Sequence, residues 1–286
     1  MAERIRLYEV GPRDGLQNEA TIISVADKVR LINLLSQTGL DRIEATSFVS
    51  PKWVPQLADA AEVMAAITRQ HGVRYASLTP NLKGYERARQ AGADEVAVFA
   101  SASEGFSQKN INCSIAESFE RFHPILRAAK EDGIPVRGYV SCVIRCPYDG
   151  DVAPEAVAWV TDRLFQAGCY EVSLGDTIGA GSPDRVEALL QTLTPGNDAQ
   201  KLAGHFHDTG GTAVANAEVA LAFGVRTFDS AVAGLGGCPY APGAKGNVST
   251  RALVERFHEL GYVTGVDLTK LADAEDHVAR LGLGQH

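Results

Sequence analysis

The sequence predicts a (β/α)8 barrel, and three observations support this fold. Short β-branched, apolar runs alternate with longer amphipathic stretches along the 286 residues. Eight such pairs use about 36 residues each, which is the spacing of a TIM barrel. Runs such as EVAVFA and IPVRGYV are apolar on both faces, as parallel strands covered by helices should be. A doubly wound open sheet is the alternative, but no GxGxxG follows the first strand and no GxxxxGK[ST] occurs.

The elements follow in order from these runs and from the turn residues between them. Strands are expected at 5–10, 42–48, 75–79, 95–100, 135–141, 170–174, 202–207 and 226–231. The helices that follow them are expected at 25–37, 57–70, 82–90, 115–131, 154–166, 183–193, 212–223 and 250–260. A terminal helical segment at about 267–283 follows the barrel, which takes up about 5–260. The whole chain, 1–286, is therefore expected to form one domain.

Composition narrows the class of protein. A hydrophobic content of 45% and a charged content of 22% are typical of a globular chain, and the net charge of −8 disfavours nucleic-acid binding. No apolar run approaches the roughly 20 residues of a membrane span, and the N-terminus lacks a targeting pattern, so we expect a cytoplasmic protein. The cysteines are odd in number and form no CxxC pair, which indicates free thiols: Cys113, Cys142, Cys146, Cys169 and Cys238.

Polar residues recur at the predicted C-terminal ends of the strands, where active sites of such barrels lie. The sequence HFHD at the seventh strand is the strongest chemical signal. His205 and His207 are two residues apart on a strand, so they point to the same face and suit a divalent metal. Asp14 and Asn247 are candidate oxygen ligands, and this mixed set favours six-coordinate Mg²⁺, Mn²⁺ or a Co²⁺-like ion over closed tetrahedral zinc. Two hydrogen-bonded core histidines are the alternative.

Arg13 and Cys238 are the next candidates. Arg13 lies beside Asp14 in a loop shaped by glycine and proline, where it could stabilise a developing enolate; an ordinary surface salt bridge is the alternative. Cys238 lies in a long glycine-rich loop, where a thiol could exchange a proton with a carbanion; for the other cysteines a buried, inert thiol is expected.

At these residues the sequence resembles the 3-hydroxy-3-methylglutaryl-CoA (HMG-CoA) lyases, within the metal-dependent TIM-barrel lyases and Claisen-type synthases. The matching stretches run from Glu9 to Leu271 and include VGPRDGLQNE, IEATSFVSPKWVPQLAD, SLGDTIG, HFHDTGG and GLGGCPYAPGAKGN. HxH with RD is typical of the superfamily, and the GLGGCPYAPGA loop is specific to the lyases. The chain departs from many relatives at Ala20, where they carry lysine, and at Gly210, where they carry an aromatic residue.

The resemblance implies a role for each matching residue. Asp14, His205, His207 and Asn247 match metal ligands, and Arg13 matches the arginine that stabilises the thioester enolate. The remaining matches are Cys238 for catalytic proton transfer, Glu44 for a carboxylate supporting the arginine or the metal, and positions near the acyl-CoA at Ser47, Asn110, Ser173 and Thr177. We also expect Gln17 to contact substrate, and His205 is one candidate for the base.

The implied reaction is a metal-assisted retro-Claisen cleavage of HMG-CoA to acetyl-CoA and acetoacetate, in leucine or branched-chain catabolism. The resemblance further implies Mg²⁺ or Mn²⁺ as cofactor, an acyl-CoA as the small-molecule partner, and a homodimer. The same chemistry on another 3-hydroxyacyl-CoA, with a longer C3 substituent or of citramalyl type, stays open. A Claisen synthase and a non-catalytic acyl-CoA-binding barrel are less favoured, because the first usually carries an additional domain and the second would lose ligands that this sequence retains.

Overall fold

The computed structural model describes residues 2–236 and 246–284. Its strands are β1 Arg6–Glu9, β2 Arg42–Ser47, β3 Arg74–Leu78, β4 Glu95–Ser101, β5 Val136–Ser141, β6 Arg145–Cys146, β7 Gly150–Asp151, β8 Glu171–Asp176, β9 Leu202–Phe206 and β10 Thr227–Ser230. Its longer helices are α1 Val25–Leu35, α2 Ala60–Ala66, α3 Leu82–Gln90, α4 Glu104–Ile111, α5 Ile115–Asp132, α6 Pro154–Ala167, α7 Pro183–Leu193, α8 Ala213–Ala222, α9 Thr250–Glu259 and α10 Leu268–Arg280.

Eight strands close into a parallel barrel in the order β1-β10-β9-β8-β5-β4-β3-β2. Every pair in this barrel is parallel, and helices connect successive strands. The predicted (β/α)8 barrel is therefore confirmed. Parallel strands of this kind place all their carboxyl ends at one rim, so the loops after them can share a single site.

The main hydrophobic core lies between the strands and the surrounding helices. On α1, Leu31, Ile32 and Leu35 are buried at helical spacing against it. The terminal helix α10 packs on the same side, since Leu271, Ala274 and Val278 are buried and His277 hydrogen bonds to the Asp27 carbonyl at 3.0 Å. The terminal helical extension is thus confirmed, while the one-domain division stays a prediction.

Three local elements differ from the sequence expectations. The polar stretch after β4 forms the helix α4, because Ser103 caps its first turn and Asn112 ends it in a left-handed conformation. The helix expected at 57–70 is shorter: a 3₁₀ turn at Pro55–Leu57 precedes α2, and Ile67 is already extended. A two-stranded antiparallel hairpin, β6–β7, follows β5.

The described cysteines are Cys113, Cys142, Cys146 and Cys169, and all four are free and buried. Burial raises the pKa of the Cys169 thiol to about 12, so this group stays protonated at neutral pH. Within the described ranges, we find no helix with both the length and the apolar character that a membrane crossing requires.

Candidate metal centre and active-site cavity

The first strand ends in a single π-helical turn, Gly11–Gly15, that presents Arg13 and Asp14. The N–H groups of Arg13, Asp14 and Gly15 all donate to the Val10 carbonyl at 3.1, 2.8 and 3.2 Å. π-turns of this kind occur often at functional sites. The turn therefore fixes two adjacent charged side chains at the rim of the barrel.

Glu9 holds this turn in place through hydrogen bonds of its buried carboxylate. Its Oε1 accepts hydrogen bonds from the N–H groups of Gly11 and Val232, both at 2.9 Å, and its Oε2 accepts from the Thr250 hydroxyl at 2.6 Å. A Cβ on Gly11 would lie 2.5 Å from Oε1, so a larger residue there would displace the Glu9 carboxylate from this position. One buried carboxylate thus joins the π-turn to the segments on both sides of residues 237–245.

The two histidines and Asp14 converge at the C-terminal end of the barrel. Nε2 of His205 lies 3.3 Å from Nε2 of His207 and 3.8 Å from Oδ2 of Asp14. Nε2 of His207 lies 4.0 Å from the same oxygen. One ligand atom from each of the three residues falls within 4.8 Å of the others, which is the spacing expected around one cation.

Asn247 follows the glycine-rich loop in the sequence and lies beside the same cluster. Its Nδ2 donates to Oδ2 of Asp14 at 2.9 Å and to the Leu235 carbonyl at 3.2 Å. A backbone bridge pairs Asn247 with His207, which places the amide beside the second histidine. All four residues expected to bind metal are therefore neighbours in the folded chain.

Electrostatics keep two members of this donor set, Asp14 and His207, in the protonation states that suit a cation. Burial raises the pKa of Asp14, but the charges of Arg13 and of both histidines outweigh it, and the pKa falls to about 2. Burial and the neighbouring His205 lower the pKa of His207 to about 4. An ionised carboxylate and a neutral imidazole are the forms that coordinate metal.

Arg13 is held by two carboxylates and lies above an aromatic ring. Its Nε donates to Oε2 of Glu44 and its Nη1 to Oδ1 of Asp14, both at 2.6 Å. The guanidinium lies 5.4 Å from the centre of the Tyr139 ring, whose hydroxyl donates to Glu44 at 3.2 Å. Burial raises the pKa of Glu44, and the charge of Arg13 opposes this shift. Glu44 therefore supports the arginine and does not itself reach the metal ligands.

A second network fills the barrel beneath these residues, and it was not foreseen from the sequence. Asp229 accepts from Nδ1 of His205 at 3.0 Å and from Ser173 at 2.8 Å. Arg137, fully buried, holds the same carboxylate through two hydrogen bonds of 2.7 and 3.1 Å and donates to the Tyr139 hydroxyl at 3.0 Å. The sequence does carry a signal for Arg137 and Asp229, since both are charged residues inside otherwise apolar strands.

A cavity of about 920 Å³ opens above the metal-ligand cluster, as bounded by the described residues. Gln17, Asn110 and Thr177 line it together with Arg13 and the metal-ligand cluster. Ser47 and Ser173 are fully buried and are not among the lining residues. The Ser47 hydroxyl accepts from the Val49 N–H at 3.1 Å, and Ser173 holds Asp229. Both hydroxyls therefore have partners within the protein, and the placement of these two residues near the acyl-CoA stays a prediction.

Two further sequence expectations concern Cys238 and Ala20. Cys238 lies outside the described residues. Ala20, where many relatives carry lysine, is exposed and is not among the residues that line the cavity.

Residues 4–278 match the protein family described as HMGL-like. The chain belongs to this family. Among its HMGL-like relatives, a hydroxymethylglutaryl-CoA lyase of Pseudomonas mevalonii is 59% identical over 98% of this chain and 93% of its own. A 3-hydroxy-3-isohexenylglutaryl-CoA/hydroxy-methylglutaryl-CoA lyase of Pseudomonas aeruginosa is 56% identical over 97% of this chain and 93% of its own.

Solved structures agree with this family assignment. An HMG-CoA lyase from Brucella melitensis superposes with a TM-score of 0.97 at 60% identity, covering 98% of this chain and 99% of that one. A lyase from Acinetobacter baumannii, solved with coenzyme A and 3-methylmalate, superposes with a TM-score of 0.92 at 38% identity, covering 98% and 92%. The predictions of a carbon–carbon lyase and of its family are confirmed.

Proposed function

We propose that this HMGL-like protein cleaves HMG-CoA to acetyl-CoA and acetoacetate. The observation that carries the proposal is the shared carboxylate of Asp14, which lies beside both histidines and binds the Arg13 guanidinium. A metal-ligand cluster in direct contact with a buried arginine suits a reaction in which an oxyanion and an enolate form side by side. The names of the relatives supply the substrate.

A divalent cation would be held by Asp14, His205, His207 and the amide oxygen of Asn247. A mixed set of two imidazole nitrogens and two oxygens, completed by oxygens of substrate or water, suits Mg²⁺ or Mn²⁺, and both remain part of the proposal. When bound, the cation would orient the substrate through its C3 hydroxyl and carboxylate and make the hydroxyl more acidic. Asp229 would keep the Nδ1 proton of His205 in place, so that Nε2 faces the cluster with its lone pair.

The bond changes can then be followed from the residues. A base takes the proton of the C3 hydroxyl, the C2–C3 bond breaks, and its electron pair moves onto C2 and the thioester oxygen. Arg13 uses two of its five N–H donors on Glu44 and Asp14, which leaves donors for that oxygen in the cavity it lines. Cys238, by resemblance, returns a proton to C2 and so releases acetyl-CoA.

The test uses metal-stripped protein incubated with HMG-CoA, with and without added Mg²⁺ or Mn²⁺. We expect acetyl-CoA and acetoacetate in equal amounts, and only when metal is present. Protein that binds metal in the same experiment but releases neither product would contradict the proposed substrate while leaving the metal centre intact.

A substrate with a longer C3 substituent is a second candidate, which the bifunctional Pseudomonas aeruginosa relative favours. Leu78 and Tyr139, with Val49 and Phe99 packed on them, form an apolar wall of the cavity beside Arg13. Such a wall suits an alkenyl chain. Comparing kcat/KM for HMG-CoA and for 3-hydroxy-3-isohexenylglutaryl-CoA tests this candidate, and Leu78→Phe should impair only the larger substrate.

The homodimer, the cytoplasmic location and the role in leucine catabolism stay predictions. Sedimentation velocity of the purified protein tests the first of them, with a species of twice the chain mass of 30.5 kDa as the expected outcome.

A further inference from the structure

Two irregular segments form the outer wall of the cavity on one side. The first segment, residues 16–24, follows the π-turn and contributes Gln17 and Asn18 to the cavity lining. The second segment, residues 48–59, follows β2 and contributes Trp53, whose side chain is 77% exposed. Neither segment belongs to the barrel, so each needs other contacts to hold its position.

Gln56 joins the two segments. It is buried, and its Oε1 accepts from the Ile23 N–H at 2.9 Å. Its Nε2 donates to the carbonyls of Thr21 at 2.8 Å and Glu19 at 3.4 Å. The first segment is therefore hydrogen bonded to one side chain of the second, which joins the two into one hydrogen-bonded unit.

Lys28 fixes this unit to the first helix. Its side chain is only 3% exposed, and its ammonium donates to the Gln56 carbonyl and to both carboxylate oxygens of Asp59, the latter at 2.9 and 2.8 Å. These contacts use all three N–H donors of the ammonium. A buried ammonium is costly to leave unpaired, so these contacts favour the position of the second segment against α1.

We propose that Lys28 is a positioning residue for substrate binding, and this inference rests on the proposed acyl-CoA lyase activity. Lys28 does not line the cavity, and its ammonium binds Gln56 and Asp59 of the second segment, which belong neither to the metal centre nor to the partners of Arg13. It acts through Gln56 on the outer wall. Since the acyl group reacts at the metal-ligand cluster, the long coenzyme A portion has to extend away from it through the cavity, and the inference is that it does so along this wall. The reacting acyl group lies at the barrel rim and does not depend on it.

The test is Lys28→Met, which keeps the volume of the side chain and removes the ammonium. For HMG-CoA we expect KM to rise about tenfold with kcat nearly unchanged, because binding common to the ground and transition states is lost. For the N-acetylcysteamine thioester of the same acid, which lacks the nucleotide, kcat/KM should stay within about twofold of the wild-type value. Bound metal should also be unchanged.

A purely structural role would give a different pattern. Loss of folded protein would lower kcat alike for both thioesters, and this result, or an unchanged KM for HMG-CoA, would overturn the inference. If Lys28→Met does not fold, Asp59→Asn removes the ion pair more gently and is judged by the same two thioesters. Wild-type protein that cleaves neither thioester would instead refute the proposed function.

A double variant and a matched control complete the design. Gln56→Leu should raise KM for HMG-CoA in the same way, and adding Lys28→Met should raise it by less than the product of the two single effects, because both act on one unit. Arg251 forms an ion pair with Glu275 at 2.6 Å between α9 and α10, away from the cavity lining. Arg251→Met should leave KM unchanged for both thioesters.

Discussion

Nδ1 of His205 lies 3.0 Å from Oδ2 of Asp229, and the two residues are paired across β9 and β10. An ionised carboxylate can only accept a hydrogen bond, so the proton of this contact is on Nδ1. Burial raises the pKa of Asp229, but Arg137 and His205 lower it well below its usual range, which keeps the carboxylate ionised. The carboxylate thus determines which nitrogen of His205 is free at the metal-ligand cluster.

Asp229→Asn should therefore weaken metal binding. The amide oxygen can still accept from His205, but the charge that increases the basicity of the imidazole is lost, so we expect a Kd for Mn²⁺ higher by about 10- to 100-fold. Isothermal titration of the metal-free protein measures it. Asp132→Asn, at a carboxylate bonded to Tyr85 and Arg89 on the outside of the barrel, is the control. Equal Mn²⁺ affinities in the wild type and Asp229→Asn would contradict this role.

Arg13→Met should separate chemistry from metal binding. The variant loses the donors aimed at the developing enolate while Asp14, His205 and His207 remain, so kcat should fall about 10²- to 10³-fold. The Mn²⁺ content after dialysis should stay near the wild-type value. Loss of metal together with activity would show instead that the arginine mainly holds Asp14 in place.

His207→Ala should remove one ligand of the metal-ligand cluster. We expect metal retention after gel filtration and HMG-CoA cleavage to fall together, because three donors are left to hold the cation. Added Mn²⁺ at millimolar concentration should restore part of the activity. A variant that retains wild-type activity in EDTA would refute the metal centre.

Cys238→Ala tests the proton transfer assigned by resemblance. Turnover of HMG-CoA should be lost, since the enolate has no acid to protonate C2, whereas the affinities for Mn²⁺ and substrate should remain. Wild-type protein should also exchange the methyl protons of acetyl-CoA with deuterated water, and the variant should not. Full activity of Cys238→Ala would remove this residue from the mechanism, and Cys169→Ala, at a buried thiol, is the matched control.

Glu9 should make stability depend on pH. Burial raises its pKa from 4.5 to about 7, against the hydrogen bonds from Thr250, Val232 and Gly11. The folded state therefore binds this proton more tightly than the unfolded state. The stabilisation that protonated Glu9 provides is complete below pH 4.5 and is lost as pH rises to about 7. A shift of this size corresponds to a loss of up to about 3 kcal/mol in the free energy of unfolding.

Glu9→Gln cannot titrate, and its amide can still pair with Thr250. The free energy of unfolding of the wild type relative to this variant should thus decrease between pH 4.5 and 7.5, as measured by urea denaturation in EDTA. Glu117 is the comparison residue, because hydrogen bonds from Ser114 lower its pKa. Its contribution to the free energy of unfolding should therefore be lost as pH falls, which is the opposite direction to Glu9. If the difference in free energy of unfolding between the wild type and Glu9→Gln stays constant over this pH range, the prediction is wrong.

The sequence by itself determined the barrel and most of the metal centre. Strand and helix periods depend on local chemistry, and His205 and His207 share a strand face by their spacing alone. What it could not supply was pairing across the chain. Asp229 and Arg137 are 92 residues apart, and Lys28 meets Asp59 from another element. Their meeting depends on barrel closure and loop packing, because a buried charge finds its partner in space and not along the chain.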